Sequence, residues 1–223
     1  MPNIPSPTNP RQPVDLELGR WRRIYSPHHY VYGDDAGPVA RRAVRYHRPF
    51  MPAGGSALDA GCGEGQDAAF LAECGYAVTG MEFTPEGAEK SRRLLEARGL
   101  AGEVLQKDIR ELDTSRRYDL VLAVNTVQFM GEDAPAALDA LASVAAPGGV
   151  IGISLFARER DQPALSGTIW FLTFEELLER FRGWQCLEAA QLWQWNVATN
   201  EPQPFVTLIA RKGPGASREL LHP

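Results

Sequence analysis

Between Ser56 and Asp67 the chain reads Ser-Ala-Leu-Asp-Ala-Gly-Cys-Gly-Glu-Gly-Gln-Asp, and the apolar stretch Ala68-Ala69-Phe70-Leu71 follows at once. A short strand that ends in glycines at i, i+2 and i+4 and passes directly into a helix has few places in a fold. The glycines allow a sharp turn and let a ligand touch backbone atoms that a Cβ would shield. In open α/β sheets such a turn lies at the carboxyl end of a central strand, where these sheets bind their ligands.

The rest of the chain fits that frame. From Ser56 onward, apolar runs (Ala57-Leu58, Ala77 to Met81, Val104-Leu105, Leu120 to Val124, Val150 to Phe156) alternate with helix-compatible stretches. Such alternation predicts a doubly wound α/β fold, a mostly parallel Rossmann-like sheet with helices on both faces. Thr84 before Pro85, Asp133 before Ala134 to Val144, and the Thr173/Glu176 capping box read as helix starts. The last two apolar segments, Gln185–Trp195 and Phe205–Arg211, have no helix between them, so they are expected to pair as an antiparallel C-terminal hairpin. Residues 1–13 are rich in turn formers and read as a disordered leader, and 213–223 as a flexible tail. Residues 14–50 form an arm with six aromatic residues and three histidines, helical over Val39 to His47; the main domain covers 51–212.

Composition removes several function classes. With 23 Lys+Arg against 28 Asp+Glu, the net charge of −5 lacks the basic footprint of a nucleic-acid binder. No apolar run is long enough to span a bilayer, and residues 1–13 hold no apolar signal core. Three irregularly spaced cysteines (Cys62, Cys74, Cys186) make neither a disulfide framework nor a four-cysteine metal site. A cytoplasmic monomer or homodimer without a metal is expected.

The glycine spacing selects among ligands. A dinucleotide fingerprint needs its third glycine where this chain has Gln66. Glu64 and Asp67 also set carboxylates at the helix mouth, unfriendly to a pyrophosphate and suited to a ligand carrying an amine and a sulfonium. An NAD-dependent oxidoreductase is therefore the weaker alternative within this fold, and a non-catalytic cofactor-binding protein is a further one.

Leu-Asp-Ala-Gly-Cys-Gly-Glu-Gly resembles the first motif of class I S-adenosylmethionine-dependent methyltransferases, and the resemblance runs from about residue 55 to 212. It implies the seven-stranded methyltransferase fold, S-adenosyl-L-methionine as cofactor, and cofactor contacts from Asp59, Gly61, Gly63, Gly65, Glu82, Phe83, Asp108, Ile109 and Asn125. Glu82 would hold the ribose hydroxyls, Asp108 the adenine amino group with Ile109 against the ring, and Asn125 would stand beside the methionine moiety. Val124 to Met130, the helix ending Phe181-Arg182-Gly183-Trp184, and Phe205 to Lys212 look like the tellurite-resistance type, compact enzymes that methylate small chalcogen or thiol nucleophiles. A His-Arg pair of that type is replaced here by Trp193-Gln194.

Methyl transfer is an in-line displacement onto a small-molecule acceptor, and the protein's task is alignment and exclusion of water. The arm supplies the candidate catalytic residues Tyr25, His28 and His29. Tyr30, Phe129, Trp170 and Trp193 are the candidate acceptor pocket, over which Tyr25 to Tyr32 is expected to fold as a lid.

Overall fold

In the computed structural model the described residues are 12–196 and 201–213. The expected leader lies outside them except for Gln12 and Pro13, as does the expected tail beyond Gly213. Seven strands make one sheet: β1 (Gly55–Ala60), β2 (Tyr76–Glu82), β3 (Glu103–Gln106), β4 (Tyr118–Val124), β5 (Ala145–Phe156), and the closing pair β8 (Gln185–Asn196) and β9 (Glu201–Arg211). Their order is β3-β2-β1-β4-β5-β9-β8. The first five are parallel, and β9 runs antiparallel to both β5 and β8. A separate two-stranded ribbon, β6 (Leu165–Ser166) with β7 (Ile169–Trp170), turns at Gly167.

Burial follows the strand period of two. In β4, Leu120 and Leu122 face one apolar layer while Val121 and Ala123 face the other, and all four are inaccessible to solvent. The first layer is covered by α2 (Pro38–His47), α3 (Gln66–Glu73) and α4 (Pro85–Ala97). The second is covered by α5 (Ala134–Val144) and α6 (Phe174–Arg180). The helices after β1 and β4 thus leave for opposite faces, and the crevice this opens between two adjacent central strands is the switch point of the sheet.

Local signals acted as read at Thr84, whose hydroxyl accepts the Gly87 amide, and at Thr173 and Glu176, whose capping box is complete. Asp133 does not cap α5. Its carboxylate instead accepts from Arg110 Nε at 2.7 Å, a charge-assisted bond that outcompetes a neutral cap. The stretch Ala146 to Gly149 is an irregularity inside β5 with Gly148 at φ +80°.

Residues 14–50 hold more structure than expected. The helix α1 (Gln12–Tyr25) precedes α2. Its inner face is Glu17, Trp21 and Tyr25, at i, i+4 and i+8, whereas Leu16 is 67% exposed. A glutamate on the buried face and a leucine on the outer one hide the helix from an apolar-periodicity reading.

Candidate active site

The carboxyl ends of β1, β2 and β4 open into a cleft of about 770 Å³, walled on one side by α1. That volume is ordinary for a cofactor or small-molecule site.

Its floor is the β1–α3 loop. The amides of Gly61 and Cys62 both donate to the Met81 carbonyl, at 2.8 and 2.9 Å, so the loop is pinned to the end of β2. Gly63 has φ +53°, and a Cβ there would stand 2.7 Å from the Tyr25 hydroxyl. Gly65 (φ +94°) is the N-cap of α3, and a Cβ would strike Ser91 of α4. The glycines are thus required by left-handed backbone and close protein packing, not by ligand approach alone.

Glu82 at the end of β2 is 3% exposed, and its rotamer is fixed from two sides. Oε1 accepts from the Thr84 amide (2.8 Å) and hydroxyl (2.6 Å), and Oε2 accepts from the Gly63 amide at 3.1 Å. Burial raises its carboxyl above the usual range, while the bonds from Thr84 and Gly63 pull the other way. Asp108 lines the cleft but is heavily engaged. It caps the 3₁₀ turn Ile109–Glu111 through the Arg110 amide and pairs with the Arg110 guanidinium at 2.9 Å. Asn125 sits at φ +54°, a left-handed position Asn tolerates, with Oδ1 accepting from the Ser154 hydroxyl at 2.6 Å. Phe83 and Ile109 complete this side. Of the expected cofactor residues, all but Gly65 line the cleft.

Asp59 is the electrostatic anomaly. It is 2% exposed, and its Oδ2 has no hydrogen-bond partner among the described residues. Burial, followed by the neighbouring Asp67 and Glu82 charges, pushes its carboxyl well above the usual range, against the bond from the Ala68 amide.

Glu64 and Asp67, expected at the helix mouth as partners for a cationic ligand, are already occupied. Glu64 accepts from the Val31 and Tyr32 amides (2.8 and 3.1 Å) and pairs with Lys90 at 2.7 Å; Asp67 accepts from the Gly37 amide at 2.7 Å. These carboxylates buckle the arm to the loop. Unpaired amides in a coil segment are donors in search of acceptors, and two buried carboxylates meet that demand.

The arm therefore walls the cleft through only some of the residues expected. Tyr25 and Tyr32 line it, whereas His28 and His29 are exposed and outside it, and Tyr30 turns to the Lys90 carbonyl. Burial, with Glu82 next, drives the Tyr25 hydroxyl well above 10, so it stays protonated and suits donation rather than proton removal. Phe129 faces the cleft; Trp170 packs on the α6 side, and Trp193 is 66% exposed on the edge strand β8, where it meets solvent instead of the cleft. Sequence reading missed Glu17, Arg20, Trp21, Phe156, Thr168 and Phe205, all of which line the cleft. The spacing of Glu17, Trp21 and Tyr25 was the available signal for the first wall.

Acidic side chains dominate the lining: Glu17, Asp59, Glu64, Asp67, Glu82, Asp108, Glu132 and Asp133 stand against Arg20, Lys107 and Arg110. Among the described residues no three His, Cys, Asp or Glu side chains are grouped to hold a metal, and no helix is long and apolar enough to cross a membrane.

Residues 57–149, which carry the floor and three of the strand ends, match the family model described as "Methyltransferase domain". The chain is also similar to YodH, an uncharacterized methyltransferase of Bacillus subtilis, 29% identical over 138 residues. That alignment covers 61% of this chain, and the chain spans about half of YodH, 54% of its length. Among solved structures, the fold is similar to 1,6-didemethyltoxoflavin-N1-methyltransferase of Burkholderia thailandensis (TM-score 0.69, 21% identity, 95% of this chain and 94% of that one). TehB of Haemophilus influenzae is also similar (TM-score 0.66, 21% identity, 77% and 62%). The order and directions of the seven strands, with helices on both faces, are the fold this chain shares with these two structures.

Proposed function

We propose that the chain is an S-adenosylmethionine-dependent methyltransferase that acts on a small-molecule acceptor by in-line displacement. One observation carries this reading: Asp59, a buried carboxylate with an unpartnered oxygen, stands on the floor of a cleft at the switch point of the sheet. An isolated buried charge is expensive, and a ligand ammonium group is the partner that would relieve it. A pyrophosphate would meet Asp59 and Glu82 as like charges, which weighs against a dinucleotide. The family match supports the same reading.

S-adenosylmethionine supplies a methyl group on a positively charged sulfur that leaves as a neutral thioether. Asp59 would accept from its ammonium group, and the pre-fixed Glu82 from its ribose hydroxyls. Phe83 and Ile109 would flank the adenine. Asp108 reaches that ring only at the expense of its bond to Arg110, so its part is the smallest. On the acceptor side, α1 and the buckled arm keep water from the reacting atoms, and Tyr25 closes over the glycine loop.

The test is formation of S-adenosylhomocysteine from S-adenosylmethionine across iodide, thiols, selenite, tellurite, amines, phenols and planar nitrogen heterocycles. Turnover above the acceptor-free rate with at least one supports the proposal. Binding without turnover on any of them would instead make the chain a non-catalytic cofactor-binding protein.

A further inference from the structure

Glu17 is the second anomaly of the cleft, distinct from Asp59. It is 7% exposed; Oε1 accepts the Thr168 hydroxyl at 2.5 Å, and Oε2 has no hydrogen-bond partner among the described residues. Arg20 Nη1 stands 3.8 Å away, beyond hydrogen-bond reach, and its guanidinium lies over the Trp21 and Phe129 rings instead. Beside this carboxylate runs a continuous aromatic wall. Trp21 meets Phe129 edge-on with centroids 4.9 Å apart, Phe129 meets Phe156 at 5.5 Å, and Phe156 meets Phe205 at 5.0 Å. All four rings line the cleft.

The two features select one chemistry. Edge-to-face rings leave flat apolar surface that a planar aromatic molecule covers. The free carboxylate oxygen asks for a proton donor, and the acidic lining repels anions such as tellurite, iodide or a thiolate. Resting on the methyltransferase reading, we propose that the α1 wall is the acceptor subsite. It takes an uncharged planar aromatic molecule bearing an N–H or O–H, and Glu17 receives its proton. In the transfer, the heteroatom lone pair forms the new bond to the methyl carbon. The carbon–sulfur bond breaks with its electron pair left on sulfur, which becomes a neutral thioether. The proton passes from the heteroatom to Glu17 Oε2 and then to water. Thr168 holds Glu17 in place, and the sequence-expected histidines are not needed.

Three matched pairs of probes test this on the full chain saturated with S-adenosylhomocysteine: theophylline and caffeine, indole and 1-methylindole, 1-naphthol and 1-methoxynaphthalene. Binding is read by calorimetry and ligand-observed NMR, with thermal melting as the check on folding. At least one proton-bearing member should bind roughly tenfold or more tightly than its methylated partner, the scale of a hydrogen bond to a charged group. Glu17→Gln should erase that preference while leaving S-adenosylhomocysteine affinity within about threefold, and Trp21→Leu should weaken both members of a pair alike. Equal affinity within every pair, a preference that survives Glu17→Gln, or no binding of any probe would overturn the proposal. Failure of S-adenosylhomocysteine to bind the unsubstituted chain would overturn the cofactor reading as well.

Discussion

At the scale of single residues, the cleft trades stability for affinity. Burial and two carboxylate neighbours oppose ionisation of Asp59. Its folded carboxyl takes up a proton at higher pH than the ordinary value of 3.8. The folded state is therefore relatively favoured below that value, and the advantage is lost as pH rises through the raised folded value. Asp59→Asn keeps an oxygen for the Ala68 amide and removes the charge. It should stabilise the unliganded protein by about 1–3 kcal/mol near neutral pH, the scale of an unsatisfied buried polar group. The gain should shrink toward pH 4 in melting curves taken across the range. The same variant should lose about 1.5–3 kcal/mol of S-adenosylhomocysteine affinity, a charge-assisted bond, by calorimetry. Lower stability with unchanged affinity would make Asp59 structural. The glycine loop and Glu82 were legible at this scale because strand-end chemistry sits in consecutive residues. Glu17 and Thr168 were not, because 151 positions separate them and only the packing of α1 on the β6–β7 turn joins them.

At the scale of elements, the arm is a strap with known buckles. Glu64 joins the Val31 and Tyr32 amides to Lys90, Asp67 holds Gly37, and Arg22 of α1 pairs with Glu86 of α4 at 2.9 Å. The Arg22 pair is exposed and contributes little; the Glu64–Lys90 pair is largely shielded from water. Removing one partner of a buried pair costs about 3–5 kcal/mol. Glu64→Gln keeps one acceptor, so its effect should fall toward the lower end and be concentrated in the arm. Hydrogen exchange at Val31 and Tyr32 should quicken by roughly a hundredfold or more while the β4 amides keep their protection. Uniform loss of protection would mean that the arm is part of the core and not a strap. Helices with explicit caps, α4 and α6, were readable from four residues each. The helix α1 was not, since its inner face mixes a carboxylate with rings; of the arm, the helix over Val39 to His47 and the part of Tyr25 at the cleft were legible, the buckles to Glu64 and Asp67 were not.

For the whole molecule, the sheet centre sets stability and the switch point sets where ligands act. Leu122 of β4 is inaccessible to solvent, and Leu122→Ala should cost about 2–5 kcal/mol. Melting should fall by roughly 2–4 °C for each kcal/mol in a chain of this size. A ligand held in the cleft at about 100 times its Kd should restore about 2.7 kcal/mol. The fold itself was legible because alternation of strand and helix leaves few topologies, and the antiparallel closing pair follows from the lack of a crossover. The cleft wall proposed for the acceptor was not, because it is assembled from α1, the 3₁₀ turn Val127–Asp133, the β6–β7 ribbon and β9, whose meeting only the folded chain reveals. The most direct measurement is calorimetric titration of the full chain with S-adenosylhomocysteine and, separately, with NAD. Saturable binding of S-adenosylhomocysteine at a single site, weakened by Asp59→Asn, with no heat from NAD, is the expected result. Saturable binding of NAD and none of S-adenosylhomocysteine would contradict it.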